Sequence, residues 1–450
     1  MSFMPRSSPF VATRQRAKSR KMTQPRGTLH TEDPVADSGA TMHIVMLAGE
    51  YPPRWGGMAT TIYHLTAELA ASGHKVTVIT RRGTGDAPPI PGVRIIGVPW
   101  LKAPMAFTRS FGRHALRALL RLHAEDPVDV VHVHTPLIAW NRRQFQRCHR
   151  EVAPTVTTLH GSWIGEREGL LMARRRREPA AIANPNDLAI LLTAKAYARY
   201  EQAALEESTC VAISAFSRQE FIDAYRPPEG WACEVIHWGI DTDMFHPRPD
   251  RAEEALALRS TLGVPEGHRL LLAVGRLAAR KGYATLIDGF AALRNQRQDV
   301  HLAIVGRGHL KTRLLRHAAK RGVAEAVHIE SSLPFEALAD AYRAADLVVF
   351  PSLYEGLGMI PIEAMASGTP VITVDHGPMP ETVDSSTGAL YTVGDHDAFA
   401  RVVNEELSDM ERLATKGEAG RAKVLERFTM TREVEAYLAA YGRAMGDSSA

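Results

Sequence analysis

Two carboxylates eight residues apart carry the strongest chemical signal in this 450-residue sequence. Glu355 and Glu363 lie in Pro351–Ile372, PSLYEGLGMIPIEAMASGTPVI, where a β-branched strand runs into a glycine-bearing loop and then a helix. Pro361 suits the first turn of that helix, because its missing N–H would have no intrahelical acceptor there. The amides of Leu357, Gly358, Met359 and Ile360 are then free to cradle a phosphate. Gly356 and Gly358 let the backbone approach it closely. Glu355, on the loop, can accept hydrogen bonds from sugar hydroxyls, and Glu363, in the helix, from a ribose diol. Singly, each residue would be an ordinary turn or helix-surface position; as a set they read as a site.

The elements around them alternate. MHIVMLAGEYPP opens with a strand, His43–Ala48, and enters a loop holding Gly56 and Gly57. Ile62, Leu65 and Leu69 then mark a helix that Gly73 stops, and KVTVIT follows as a strand. Such a unit is a right-handed parallel crossover. VRIIGV, DVVHVH, TVTTLH and TCVAIS continue the pattern, as strands buried on both faces of a parallel sheet do. After CEVIHWGID, the Pro- and charge-rich stretch Phe245–Ala257 reads as a linker. The alternation restarts with LLLAVGRL, HLAIVGRG, VHIE, LVVFPS and PVITV. The expected fold is α/β, with two doubly wound parallel domains, and the length fits two cores. Ligands of such sheets sit beyond the carboxyl ends of the strands, where the motifs fall.

Composition narrows the class. With 45% hydrophobic and 23% charged residues the chain is that of a globular protein. No apolar run reaches the roughly 18–20 residues of a membrane span, and no secretory signal is legible. Residues 1–41 hold seven basic and three acidic groups, which accounts for the whole formal net charge of +4. The neutral remainder argues against a nucleic-acid-binding body. The leader lacks hydrophobic periodicity and reads as disordered. A solvated tail, a translation start at Met42 and a transit peptide are its three readings. Cys148, Cys210 and Cys233 have neither metal-ligand spacing nor the numbers for a disulfide framework, which favours a reducing, cytoplasmic compartment. No tandem repeat is present, which excludes a solenoid.

The Glu355–Glu363 segment resembles the E-x7-E signature of glycosyltransferase family 4, retaining enzymes of the GT-B fold. GGMATTIYHLTAELAASGHKVTVIT is similar to that family's glycine loop and first helix, and DVVHVH and TTLHG to its histidine-bearing strand ends. VIHWGID is similar to the stretch before the linker, and VGRLAARKG and AIVGRG to the start of the donor domain. The resemblance runs from Met42 to the C-terminus. It implies Rossmann-like domains at 42–246 (acceptor side) and 247–428 (donor side), with a last helix, 429–450, returning to the first domain.

The resemblance further implies that Arg276 and Lys281 clamp the diphosphate of a nucleoside-diphosphate sugar. Fixed cations there stabilise the charge that the leaving group gains. Gly56 and Gly57 would bring backbone N–H groups to the diphosphate from the opposite domain. His160 would lie by the transferred sugar, whereas His134 either shares that cleft or packs. Ser214 and Ser217 are expected to cap the following helix. The implied reaction keeps the anomeric configuration: the acceptor hydroxyl attacks on the face that the diphosphate leaves, and a donor phosphate oxygen takes its proton. No carboxylate pair of the glycosidase kind is evident. No Asp-x-Asp sits at a strand end, since Asp241–Asp243 lies near the linker, so neither a required metal nor a tightly bound cofactor is expected. Two departures bear on the hinge: His237 and Trp238 replace the family's Pro–Asn, and Met430, after Phe428, replaces an aromatic residue.

Arg174–Arg177 and the cluster Arg142, Arg143, Arg147 and Arg150 have three readings: a solvated helix face, a dock for an acidic acceptor, or peripheral contact with anionic lipid. Uridine, guanosine and adenosine diphosphate sugars all fit the resemblance, as do acceptors from lipid-linked saccharides to inositol derivatives. Three rival functions compete. A nicotinamide dehydrogenase would need G-x-G-x-x-G spacing and a ribose-binding acid, and neither is present. Against a sugar-nucleotide 2-epimerase stands the E-x7-E segment with Arg276 and Lys281. A non-catalytic sugar-nucleotide-binding relative would be expected to have lost one of Glu355, Arg276 and Lys281.

Overall fold

A computed structural model describes residues 41–52, 56–83, 88–179, 184–331, 333 and 335–447. The basic leader, up to residue 40, therefore lies outside the described residues. From the N-terminal side, β1 (His43–Ala48), α1 (Gly57–Ala71), β2 (Lys75–Arg81), β3 (Val93–Val98), α2 (Ala106–Glu125), β4 (Val130–Thr135) and α3 (Arg142–Glu151) come first. There follow β5 (Thr155–Leu159), α4 (Trp163–Arg175), α5 (Pro185–Glu207), β6 (Thr209–Ala212), α6 (Ala215–Tyr225) and β7 (Cys233–Val235). These strands form a seven-stranded parallel sheet in the order β3-β2-β1-β4-β5-β6-β7.

The second half begins with α7 (Ala252–Thr261), which starts inside the stretch read as a linker. It continues with β8 (Arg269–Val274), α8 (Tyr283–Arg294), β9 (Val300–Val305), α9 (Lys311–Lys320), β10 (Val327–Glu330), α10 (Phe335–Ala344) and β11 (Leu347–Phe350). Then come α11 (Met359–Ala366), β12 (Val371–Val374), α12 (Met379–Thr382), β13 (Gly388–Tyr391), α13 (His396–Glu406), α14 (Met410–Arg427) and α15 (Met430–Asp447). Its six parallel strands run β10-β9-β8-β11-β12-β13.

Alternation along the strands builds a core on each face of each sheet. In β8, Leu271 and Ala273 enter one core and Leu270, Leu272 and Val274 the other. In β1, Val45 and Leu47 face α2 and α3, while Ile44, Met46 and Ala48 face α1. That second core also holds Val434, Tyr437, Ala440 and Tyr441 of α15, so the last helix covers the first sheet. Burying such side chains stabilises by about 1.5–3 kcal/mol each, enough to hold an 18-residue helix on the far half. Among the described residues no helix is long and apolar enough to cross a membrane.

Strand order reverses between β1 and β4 in the first sheet and between β8 and β11 in the second. At such a point the two flanking connections diverge to opposite faces and leave a crevice at the strands' carboxyl ends. The glycine loop with Gly56 opens onto the first crevice. The segments bearing Arg276 and Lys281, and Glu355, flank the second.

Candidate active site

The connection after β8 makes a 3₁₀ turn, Ala279–Lys281, and Gly282 leaves it in the left-handed region at φ 71°. A Cβ there would also stand 2.3 Å from the carbonyl oxygen of Pro351, so only glycine fits. This close approach ties the turn to the loop after β11, as does the Leu353 amide donating to the Arg280 carbonyl at 2.8 Å. Lys281 and Glu355 meet there as an ion pair. The hydroxyl of Ser352 donates to Glu355 at 2.6 Å, and the Lys281 ammonium lies 5.6 Å from the centre of the Phe350 ring. Burial lowers the Lys281 pKa, and the Glu355 charge opposes that shift. Arg276, in contrast, is exposed, and no carboxylate pairs with it among the described residues.

Gly358 ends the loop at φ 92° as the N-cap of α11, so the first amides of this helix have no intrahelical acceptors. Glu363, one turn inside, accepts a hydrogen bond from the Tyr342 hydroxyl at 2.6 Å. Burial nevertheless pushes its carboxyl up to about 7. Leu357 is buried in the core beneath, and Met359 packs against the same core.

From the first half, Gly56 is the N-cap of α1 and Gly57 its first residue. A Cβ on Gly57 would meet nothing within 4 Å. Met58 packs against the cores of both halves, which places the start of α1 at the seam. His160 follows β5 and lies 2.9 Å from His134 (Nε2 to Nδ1), so one ring donates to the other. Burial lowers both pKa values, that of His134 to about 3, and the rings are neutral at neutral pH. His160 Nδ1 and His134 Nε2 have no hydrogen-bond partner. A neutral His160 can hydrogen-bond a hydroxyl but brings no positive charge. Trp238, which the sequence marks only as a departure at the hinge, lies 4.9 Å from the His160 ring. His237 packs on Phe428 at 5.1 Å. Asp241 is occupied locally, accepting from the amides of Asp243 and Met244.

The halves are closed on each other by groups that no local motif announces. Glu178 accepts from the Ala284 and Thr285 amides and the Thr285 hydroxyl, capping α8 from the first half. Glu381 accepts from the Ala215 and Phe216 amides, capping α6 from the second. Each carboxylate satisfies terminal donors of a helix in the other half, which that helix leaves without intrahelical acceptors. Arg280 pairs with Glu166. Tyr354 donates to Glu220 at 3.1 Å and accepts from the Ser162 amide at 3.1 Å. Ser214 and Ser217 form the expected capping box on α6, and the Ser214 hydroxyl also donates across the seam to the Gly356 carbonyl at 2.6 Å. Arg174–Arg177 are exposed at the end of α4. A Cβ on Gly394 would stand 2.2 Å from Arg176, so this run too borders the second half.

The chain matches two family models: Glycosyltransferase Family 4 over residues 55–244 and Glycosyl transferases group 1 over residues 256–423. It is 28% identical over 426 residues to a glycogen synthase of Mycobacterium tuberculosis, spanning 89% of this chain and 95% of that protein. It is 30% identical over 416 residues to a D-inositol 3-phosphate glycosyltransferase of Thermobispora bispora, spanning 86% and 91%. Among solved structures, sucrose-phosphate synthase of Thermosynechococcus elongatus superposes with a TM-score of 0.70 at 22% identity, covering 90% of this chain and 100% of that one. HepE of Anabaena, in complex with UDP and glucose, superposes with a TM-score of 0.66 at 18% identity, covering 89% and 100%. Sheet topology, the two crevices and the matches over both halves converge: the chain belongs to glycosyltransferase family 4, has the GT-B fold and is an enzyme that transfers a glycosyl group.

Proposed function

We propose that the enzyme moves a sugar from a nucleoside-diphosphate sugar to an acceptor hydroxyl with retention of configuration. The observation that carries this reading is the corner at the second switch point, where Lys281, Glu355 and the start of α11 converge above Glu363. Arg276 and Lys281 take the charge of the diphosphate, and the amides of Leu357–Ile360 receive its oxygens. Gly56 and Gly57 present backbone to it from the other half. Glu363 holds the ribose diol, Glu355 the hydroxyls of the sugar, and His160 a hydroxyl by the reacting carbon. As the bond from the anomeric carbon to the diphosphate breaks, the acceptor oxygen bonds to the same face, and its proton passes to the departing phosphate oxygen. The names of relatives that transfer rather than epimerise support this over the epimerase alternative. Three free cysteines support a cytoplasmic setting. Contact with an anionic membrane surface through Arg174–Arg177 belongs to the same reading, supported by their exposure.

Thermal unfolding with uridine, guanosine and adenosine diphosphates and their sugar conjugates tests it. One base is expected to stabilise the protein, by about 2.7 kcal/mol at about 100 times its dissociation constant. No shift with any of them would remove the donor site. The Glu363 carboxyl adds a sign. Two ribose hydroxyls donating into it favour the ionised form, so nucleotide affinity should rise by up to about tenfold between about pH 6 and pH 8. Part of any slope belongs to the nucleotide's own phosphate, and Glu363→Gln should leave only that part. An identical slope in both proteins would place Glu363 away from the ribose.

A further inference from the structure

Arg109, Arg113 and Arg117 recur every fourth residue along α2, and all three are exposed. Across from them, Arg143 and Arg147 stand one turn apart on α3. The five line a single cavity of about 360 Å³ that has Tyr200 of α5 in its wall and no carboxylate in its lining. The Arg109 guanidinium lies 6.0 Å from the centre of the Tyr200 ring, and Tyr200 is only 9% exposed.

The neighbouring carboxylates are engaged elsewhere. Glu206 and Glu207 pair with Arg142, outside the cavity. Glu151 pairs with Arg147 at 3.0 Å. No carboxylate pairs with Arg109, Arg113, Arg117 or Arg143 among the described residues. A solvated helix face normally mixes both signs of charge, whereas here five cations converge on one concavity from two helices with a single counter-charge at its edge. Such an arrangement repels itself and concentrates anions. Guanidinium forks suit the oxygens of phosphate.

We propose that this cavity is a binding site for a phosphate-bearing anion, separate from the donor corner. It shares no residue with the Lys281–Glu355 corner and lies on the first sheet's α2–α3 face, away from α15. It does not depend on the donor reading. Both a soluble phosphorylated ion and the headgroup of an anionic phospholipid present this chemistry.

The test titrates inorganic tripolyphosphate into the full chain by calorimetry at about 0.1 M salt, where long-range charge effects are screened. In parallel, the protein is sedimented with phosphatidylglycerol-containing and with pure phosphatidylcholine vesicles. Wild type should bind, and Arg113→Gln/Arg117→Gln should weaken binding by roughly tenfold or more. Arg143→Gln, on the other helix, should weaken it independently, so the test survives if the double variant folds poorly. Lys281→Ala should remove only the share of tripolyphosphate bound at the donor corner, and the control Arg313→Gln/Arg316→Gln, two exposed arginines of α9, should leave binding intact. Tripolyphosphate binding without sedimentation assigns a soluble ion, and sedimentation with phosphatidylglycerol alone, sensitive to the same variants, assigns a headgroup. Binding of neither probe, or equal losses in the pocket and control variants, would overturn the proposal.

Discussion

Replacing Lys281 by alanine is expected to lower turnover at least about tenfold with the fold intact, because a cation on the departing diphosphate contributes on the order of 2 kcal/mol to the transition state. The structure sharpens the expectation. Lys281 is held in place by the 3₁₀ turn, by Gly282 and by its ion pair with Glu355, so its charge is fixed before any substrate arrives. A fixed charge needs no reorganisation when the leaving group develops its own. If the contact is made mainly in the transition state, kcat and kcat/KM should fall together. Part of the loss could instead come from Glu355, left half-buried without its partner. Comparing Lys281→Ala, Glu355→Ala and the double variant separates the two. Turnover in Lys281→Ala equal to wild type would take this residue out of the site.

Gly356→Ala is expected to cost more, roughly a hundredfold in kcat/KM. A Cβ at Gly356 would stand 2.2 Å from the carbonyl oxygen of His160 and 2.9 Å from Ile213 Cδ1. Neither neighbour is the end of a long flexible side chain, and the Ser214 hydroxyl already holds the Gly356 carbonyl from the other half. The methyl group must therefore push the halves apart by about 1 Å, and a displacement of about 1 Å costs on the order of a hundredfold in rate. Ile213 belongs to the core in which the two halves meet, so the same displacement should also lower the melting temperature. Solution scattering should report a more open molecule. Wild-type activity would mean that the closed contact between Gly356 and His160 is not the reacting arrangement.

Much of this architecture is legible in the residues. β-Branched runs alternating with helical periods lead to two parallel sheets, and the E-x7-E segment falls at a strand end, where such sheets bind ligands. The stretch Phe245–Ala257 is less legible: Pro and charge mark a linker, yet α7 begins inside it at Ala252, because Glu253 and Glu254 suit a helical first turn. Trp238 reads as a hinge departure, and its place against His160 depends on how the segments that follow β5 and β7, two strands apart in the sheet, come together. The arginine cavity is half legible. Arg143 and Arg147 stand out as a cluster, but the matching row on α2 becomes a partner only when the two helices pack on one face of the sheet.

By itself, then, the sequence determined the elements, their parallel order and which residues stand at strand ends, since these follow from side-chain periodicity and local backbone preference. Only the tertiary structure decided which of those residues meet. Glu178 caps α8 and Glu381 caps α6 across separations of more than 100 residues. Lys281 reaches Glu355 from another strand end, and Gly356 touches His160 as bare backbone. Such contacts leave no local signature, because they come from the docking of two separately packed cores.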